Sequence, residues 1–136
     1  MIQRIQTLWL LAATACATLT FKFSFYSGNQ DNLPDIKSLT ATSNIFLITL
    51  TAILVAGSLF VIFLFTNRKK QLRFTILITL ISIINLVIYF YQLKKFTSGT
   101  FSLTAVFAFA IPVLLFLAAR GIWKDEKLVK SLDRLR

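Results

Sequence analysis

The fold is decided by one stretch, Ser43–Tyr91, which reads SNIFLITLTAILVAGSLFVIFLFTNRKKQLRFTILITLISIINLVIYFY. It contains two apolar runs, Ser43–Thr66 and Phe74–Tyr91, and neither contains a charged residue. A helix needs about 17 to 25 apolar residues to cross a hydrocarbon core of about 30 Å. Both runs approach or exceed this length, and only the short basic loop Asn67–Arg73 separates them. We therefore predict a tight antiparallel helical hairpin that crosses a membrane.

Two further runs without charge, Ile5–Phe21 and Gly99–Ala119, flank this hairpin. A bilayer core offers no water to the backbone, so each run is expected to be a helix rather than a loop or an open strand. Hydrophobic residues make up 57% of the chain and charged residues only 15%, which excludes an ordinary soluble domain. The sequence predicts an all-α membrane protein, a single four-transmembrane-helix bundle that uses the whole chain.

The distribution of lysine and arginine predicts the orientation, because these residues prefer the cytoplasmic side of short loops. With the amino terminus inside, eleven basic residues lie on the inner face and four on the outer face. Both termini are therefore predicted to be cytoplasmic. The outer loop Phe23–Thr42 is rich in Gly, Asn, Asp and Pro, which indicates turns. The eleven are Arg4, Arg68, Lys69, Lys70, Arg73, Arg120, Lys124, Lys127, Lys130, Arg134 and Arg136; the four are Lys22, Lys37, Lys94 and Lys95.

The tail Arg120–Arg136, RGIWKDEKLVKSLDRLR, has the spacing of a cytoplasmic amphipathic helix. Three interpretations stay open: the helix lies among lipid headgroups, it docks a cytoplasmic partner, or its charges only anchor the topology. Basic residues of the inner loop lie on the same face. The residues predicted to contact a partner or headgroups are Arg68, Lys69, Lys70, Arg73, Lys124, Lys127, Leu128, Lys130, Leu132, Arg134 and Leu135.

A polar stripe follows the third run, with residues spaced by three or four so that they share one face of a helix. It serves either as a packing face against neighbouring helices or as the lining of a path for a polar solute. Pro112 interrupts the fourth run, where it predicts a kink that either shapes the helix or opens a groove. The stripe consists of Thr75, Thr79, Ser82, Asn85, Tyr89 and Gln92.

The composition argues against catalysis. The chain has no histidine, one cysteine and five carboxylates, and no charged residue lies inside a run. A proton relay, a metal site or an activated nucleophile would need such groups close together. We predict no enzymatic activity, no metal and no cofactor. The net charge of +10 follows from membrane topology, and no motif predicts sequence-specific binding of nucleic acid.

Three segments carry a resemblance: the opening Met1–Leu11 (MIQRIQTLWLL), the loop Asn67–Arg73 (NRKKQLR) and the closing Lys124–Arg136 (KDEKLVKSLDRLR). The chain resembles an uncharacterised family of four-pass bacterial inner-membrane proteins, domain of unknown function 4293. This resemblance implies four spans in the inner membrane and no assigned activity. All three segments lie on the predicted cytoplasmic face, which suggests that the protein works there.

These observations favour a non-catalytic accessory subunit of a larger inner-membrane assembly, with a protein-translocation or insertion machine as the preferred example. The expected partners are other inner-membrane proteins, anionic phospholipid, and a ribosome or translocon near the basic face. One alternative is a small channel or facilitator that uses the polar stripe. A second alternative is a membrane protein that binds lipid headgroups.

Overall fold

A computed structural model describes the backbone of residues 2–30 and 36–133, and the side chains of residues 5–29, 36–129 and 131. Most of this chain is helical, and short 3-10 turns precede α2, follow α2 and precede α4. The elements are α1 (Ile2–Lys22), β1 (Tyr26–Gln30), β2 (Ile36–Leu39), α2 (Ile45–Phe63), α3 (Arg68–Leu93), β3 (Phe96–Phe101) and α4 (Val106–Asp133).

The four helices form an up-and-down bundle in which α1 and α3 each pack against both α2 and α4. Three helical segments, Ile45–Thr66, Arg68–Leu93 and Leu103–Val129, are long and apolar enough to cross a membrane. The predicted helices are confirmed in these three segments, whose length and composition suit a membrane span. The first predicted run, Ile5–Phe21, lies within α1, which completes the bundle by packing on α2 and α4.

The bundle has an apolar surface and keeps polar side chains inside. Phe46, Leu77 and Val113 are exposed, whereas Thr51 and Thr75 are fully buried. A buried hydroxyl needs a partner, and both threonines donate to a backbone carbonyl one helical turn earlier, at 2.6 and 2.8 Å. An exterior of this kind suits lipid, which offers no hydrogen bonds.

Small residues let α1 approach its neighbours. Ala13 and Ala17 of α1 and Ala118 of α4 are almost completely buried in the main core, together with Leu10 and Leu115. Where side chains are short, two helix backbones come closer and gain more van der Waals contact, which is the main attraction between helices in lipid. The alanine-rich part of α1 therefore places this helix firmly against the bundle.

One end of the bundle is closed by an antiparallel three-stranded sheet of order β2-β1-β3. The prediction of an all-α chain is wrong here, because β1 and β2 lie within the predicted outer loop Phe23–Thr42. The fourth run was predicted to begin at Gly99, but this residue lies in β3 and α4 begins at Val106. Strand pairing gives hydrogen-bond partners to backbone groups between the helices, which a simple loop would leave to water. We call this the sheet end.

The close approach of β1 and β3 requires glycine. Gly28 and Gly99 are directly opposite each other in the register. A Cβ atom on either residue would lie 2.7 Å from the Cα atom of the other. This distance is far below van der Waals contact, and the obstacle is backbone that cannot rotate away.

The predicted tail helix is not a separate element. Residues 120–133 continue α4, which runs without interruption from Val106 through Pro112 to Asp133. At 1.5 Å per residue, its 28 residues measure about 42 Å, more than the hydrocarbon core of about 30 Å. The helix is therefore longer than a membrane span requires, and we call its residues 120–133 the projecting part of α4. Arg134 and Leu135 lie outside the described residues.

The glycine pair provides a test of the sheet. Gly28→Ala and Gly99→Ala should each lower the free energy of unfolding by about 1–3 kcal/mol, because the added methyl group forces β1 and β3 apart. Thermal unfolding in detergent measures this loss. Gly57→Ala in α2 is the matched control: its Cβ would lie 3.0 Å from the movable Cδ1 of Ile78, and alanine favours a helix. Equal stability of all three variants would contradict the tight strand pairing.

Candidate functional site

A buried carboxylate joins three helices at the end of the bundle opposite the sheet. Asp125 of α4 is only 4% exposed. Its Oδ2 accepts a hydrogen bond of 2.7 Å from Nε2 of Gln6 in α1, and lies 3.9 Å from Nη1 of Arg68 at the start of α3. The longer contact contributes less, since ion pairs near a surface are weak. We call Gln6, Arg68 and Asp125 the Asp125 cluster, and this end of the bundle the basic end.

Helical periodicity and a glycine bring the cluster together. The buried residues Ile111, Leu115, Ala118 and Ile122 of α4 are spaced by four, three and four, and Asp125 follows three residues later on the same face. Gly121 lets α1 approach, because a Cβ there would lie 2.9 Å from Cγ of Gln6. Asp125 is not among the site residues predicted from the sequence, although it continues this spacing.

A second buried amide stabilises the turn between α2 and α3. Nε2 of Gln71 donates a 3.2 Å hydrogen bond to the carbonyl oxygen of Val61, near the end of α2. This carbonyl also accepts a hydrogen bond from the backbone N–H of Leu64, so the Gln71 amide adds a second bond that ties α3 to the end of α2. The predicted inner loop Asn67–Arg73 is thus almost entirely helical, because α3 begins at Arg68.

The basic end concentrates positive charge. Four of the first six residues of α3 are basic, and this helix has no acidic residue in its first turn. The amino-terminal end of a helix already carries partial positive charge, and basic side chains there add to it. An anion bound nearby would therefore be stabilised. Lys69, Lys70, Arg73, Lys124 and Lys127 are exposed.

The projecting part of α4 also presents apolar side chains. Trp123 is 58% exposed and Leu128 51% exposed. They stand beside the exposed lysines of the same helix, so the surface combines charge with apolar contact area. The structure does not describe the side chains of Lys130 and Leu132. Of the residues predicted to contact a partner, Arg68 is only half-buried, and it belongs to the Asp125 cluster.

The polar stripe of α3 lies inside the bundle. Thr75, Ser82, Asn85, Tyr89 and Gln92 are buried, and Thr79 is partly buried. The hydroxyl groups of the three smaller residues donate to carbonyl groups of α3 itself, at 2.7 to 2.8 Å. The stripe faces α2 at Asn85, whose Nδ2 lies 3.5 Å from Oγ1 of Thr51.

An apolar groove separates α3 from α4 near the basic end. Its volume is about 320 Å³, and Arg120 is the one charged residue among those that line it. An acyl chain fits such a groove chemically, and a guanidinium group at the groove suits an anionic headgroup. The lining residues are Leu72, Ile76, Thr79, Leu80, Phe116, Ala119, Arg120 and Trp123.

The described part of the chain contains no cluster of side chains that could bind a metal ion. Among these residues, no group of three or more His, Cys, Asp or Glu side chains is placed to hold a metal ion. Asp125 is buried, and its described neighbours are an amide and a guanidinium, a combination that orients helices. These contacts are suited to holding the ends of α1, α3 and α4 in a fixed arrangement.

The Asp125 cluster predicts a specific loss of stability. Asp125→Ala should reduce the free energy of unfolding by about 1–3 kcal/mol, because it leaves the buried Gln6 amide without an acceptor. Trypsin should also cleave α4 faster at Lys124 and Lys127, since the helix end is no longer held. Asp125→Asn, which keeps an acceptor oxygen, should lose less. Unfolding and proteolysis that match the wild type in Asp125→Ala would show that the cluster does not hold α4.

Replacement of Asn85, in contrast to that of Asp125, should not destabilise the protein. The Oδ1 of Asn85 is buried without a described hydrogen-bond partner, and its Nδ2 makes only the 3.5 Å contact. Asn85→Leu keeps a similar branched shape and removes an unsatisfied polar group, so the melting temperature in detergent should be unchanged or higher. A marked decrease would show that the amide has a strong partner. A folded variant that loses solute flux in liposomes would support the channel alternative.

The comparisons with known proteins agree with the resemblance noted in the sequence. No curated protein and no solved structure matches the chain. One family model does match, that of a domain of unknown function, DUF4293, and it covers residues 2–135. Because this match spans almost the whole chain, the protein belongs to the DUF4293 family.

Proposed function

We propose that this protein is a non-catalytic accessory subunit of a larger bacterial inner-membrane assembly, and that it docks through its basic end. The observation that carries the proposal is the Asp125 cluster, which holds the projecting part of α4 against α1 and α3. A helix that is already ordered loses little conformational entropy when a partner binds it. The cluster therefore prepares a rigid docking surface.

The proposed topology has four spans and two cytoplasmic termini. We count α1 as the fourth span because no charged residue lies between Ile5 and Phe21, and because Ile5, Leu8 and Leu11 point outward like the lipid-facing residues of the other helices. Lysine and arginine collect at the basic end, which the positive-inside rule assigns to the cytoplasm. The sheet end then faces the periplasm.

Charge supports an anionic partner at the basic end. The cations of Arg68, Lys69, Lys70 and Arg73 stand at the positive end of α3, an arrangement that a neighbouring anion stabilises. Ribosomal RNA, an acidic protein surface and anionic phospholipid all supply such charge. Among membrane assemblies, we favour a protein-translocation or insertion machine, because a ribosome docks at its cytoplasmic face.

A second candidate function is the binding of an anionic phospholipid. The groove between α3 and α4 supports it, since apolar walls are combined with Arg120. The alternative of a channel or facilitator has less support. Its proposed lining, the stripe of α3, lies mostly buried in the bundle. The hydroxyl groups of its three smaller residues bond to the backbone of their own helix, and the Tyr89 hydroxyl bonds to Thr20 of α1.

Charge reversal at the projecting helix tests the docking proposal. The double variant Lys124→Glu and Lys127→Glu should lose its partners in a mild-detergent pull-down analysed by mass spectrometry and sizing. Both lysines are exposed, so the melting temperature should not change. The control reverses Lys22 and Lys94, two exposed lysines near the sheet end, and should retain every partner.

Two outcomes would contradict docking through the basic end. The first is a complex of unchanged composition from the Lys124 and Lys127 variant. The second is a wild-type protein that elutes alone. A lone protein that retains anionic phospholipid would support the second candidate function instead.

A further inference from the structure

A polar pocket lies at the sheet end, on the opposite side of the bundle from the proposed docking surface. Its volume is about 240 Å³. Residues from β2, from the turn before α2, from the end of α3 and from the start of β3 contribute to it. They are Lys37, Ser38, Leu39, Ser43, Asn44, Gln92, Lys95 and Phe96.

The pocket is positively charged. Lys37 and Lys95 come from separate elements of the fold, and no acidic residue of the described chain lines the pocket. Two ammonium groups without a carboxylate between them attract an anion. The remaining polar groups in the lining are two serine hydroxyls and two carboxamides. The Ser43 hydroxyl already donates to the carbonyl oxygen of Ser38, which leaves the Ser38 hydroxyl and the carboxamides to donate to a ligand.

The amino terminus of α2 lies next to the pocket, which is lined by Asn44 but not by the first residues of the helix itself. Asn44 is the N-cap of this 19-residue helix, and its side chain accepts a 3.2 Å hydrogen bond from the backbone N–H of Phe46. The first N–H groups of a helix have no partner within the helix and carry partial positive charge. Such a terminus favours an anion, and α2 has no acidic residue in its first turn to supply one.

Gln92 is the observation that points to a ligand. It is 6% exposed, and its carboxamide makes no hydrogen bond to any described residue. The other two buried glutamines of the described chain behave differently: Gln6 donates at 2.7 Å and Gln71 at 3.2 Å. The Gln92 amide is not sealed in the core, because Oδ1 of Asn85 is the one fully buried side-chain atom without a partner in the described chain, and Gln92 lines the pocket. A ligand in the pocket would give the Gln92 amide its missing acceptor.

We propose that this pocket binds a phosphate group, carried either by a soluble phosphate ester or by a phospholipid headgroup in the adjoining leaflet. The lining brings donors to one space from β2, from the N-cap of α2 and from the end of α3, among them two ammonium groups and two carboxamides. A phosphate has more acceptor oxygens than a carboxylate and matches these donors better. The position suits either source, since apolar α2 begins directly after Asn44 and α3 ends at Leu93.

Binding by the full-length protein in detergent provides the first test. Inorganic phosphate and glycerol 3-phosphate are titrated and followed by calorimetry and thermal unfolding. For the second source, the protein is placed in nanodiscs of phosphatidylglycerol or of phosphatidylcholine, and native mass spectrometry counts the lipids that remain bound. The variants are Lys37→Gln with Lys95→Gln, and Gln92→Glu, which keeps the side-chain shape but repels an anion.

The matched control is Lys22→Gln with Lys94→Gln, which removes the same charge near the same end without touching the pocket. We expect the pocket variants to weaken phosphate binding by at least about tenfold, as loss of charge-assisted hydrogen bonds should, and the control to bind normally. Saturable binding of glycerol 3-phosphate identifies a soluble ligand. Selective retention of phosphatidylglycerol without that binding identifies a headgroup.

Three outcomes would overturn the proposal. One is the absence of saturable binding of both the soluble phosphates and phosphatidylglycerol to the protein. Another is equal weakening in the control and the pocket variants, which would indicate only general attraction to a positive surface. The third is unchanged binding in Gln92→Glu, because the buried amide would then not contact the ligand. The docking proposal concerns the other end of the molecule and is unaffected by these results.

Discussion

Polar side chains in an apolar helix bundle can find partners only within the bundle, because lipid accepts and donates no hydrogen bonds. The structure follows this constraint closely. Thr14 of α1 donates to Ser58 of α2 at 2.9 Å, and other buried hydroxyls bond to a carbonyl of their own helix. In the described chain, Oδ1 of Asn85 is the exception among fully buried side-chain atoms. The helices are oriented so that these groups point inward.

The same requirement explains the two ends. Between α1 and α2, and between α3 and α4, the backbone pairs as β1, β2 and β3 rather than as open loops. Phe25 packs this sheet against the helices. The centroid of its ring lies 4.7 Å from that of Tyr89 in α3 and 5.7 Å from that of Phe109 in α4. At the other end, the Gln71 amide donates to a carbonyl of α2, and Asp125 accepts from Gln6.

The two ends also differ in what they offer to other molecules. The basic end presents cations and exposed apolar side chains on a helix that is held in place, an arrangement suited to a large partner. The sheet end encloses a small polar space with two lysines and an amide that has no described partner, an arrangement suited to one small anionic group. The two proposed sites would thus recognise different molecules, one on each side of the proposed membrane.

The sequence by itself determined the helices, since the runs Ser43–Thr66 and Phe74–Tyr91 have the length, composition and absence of charge that a membrane span requires. It also placed the polar stripe of α3 on one face, because helical spacing depends only on residue order. Such local patterns are sufficient to predict a helix and its polar face where the surroundings are uniformly apolar, as in a lipid bilayer.

Only the tertiary structure decided the sheet, the Asp125 cluster and the pocket around Gln92. Gly28 and Gly99 are 71 positions apart in number, and Gln6 and Asp125 are 119 apart, so no local pattern shows that they meet. Asp125 looks like any charged residue of a basic tail until α1 is packed against Gly121. These contacts depend on how helices and strands approach each other in space, and the energy of a buried polar group depends on its neighbours rather than on its position in the chain.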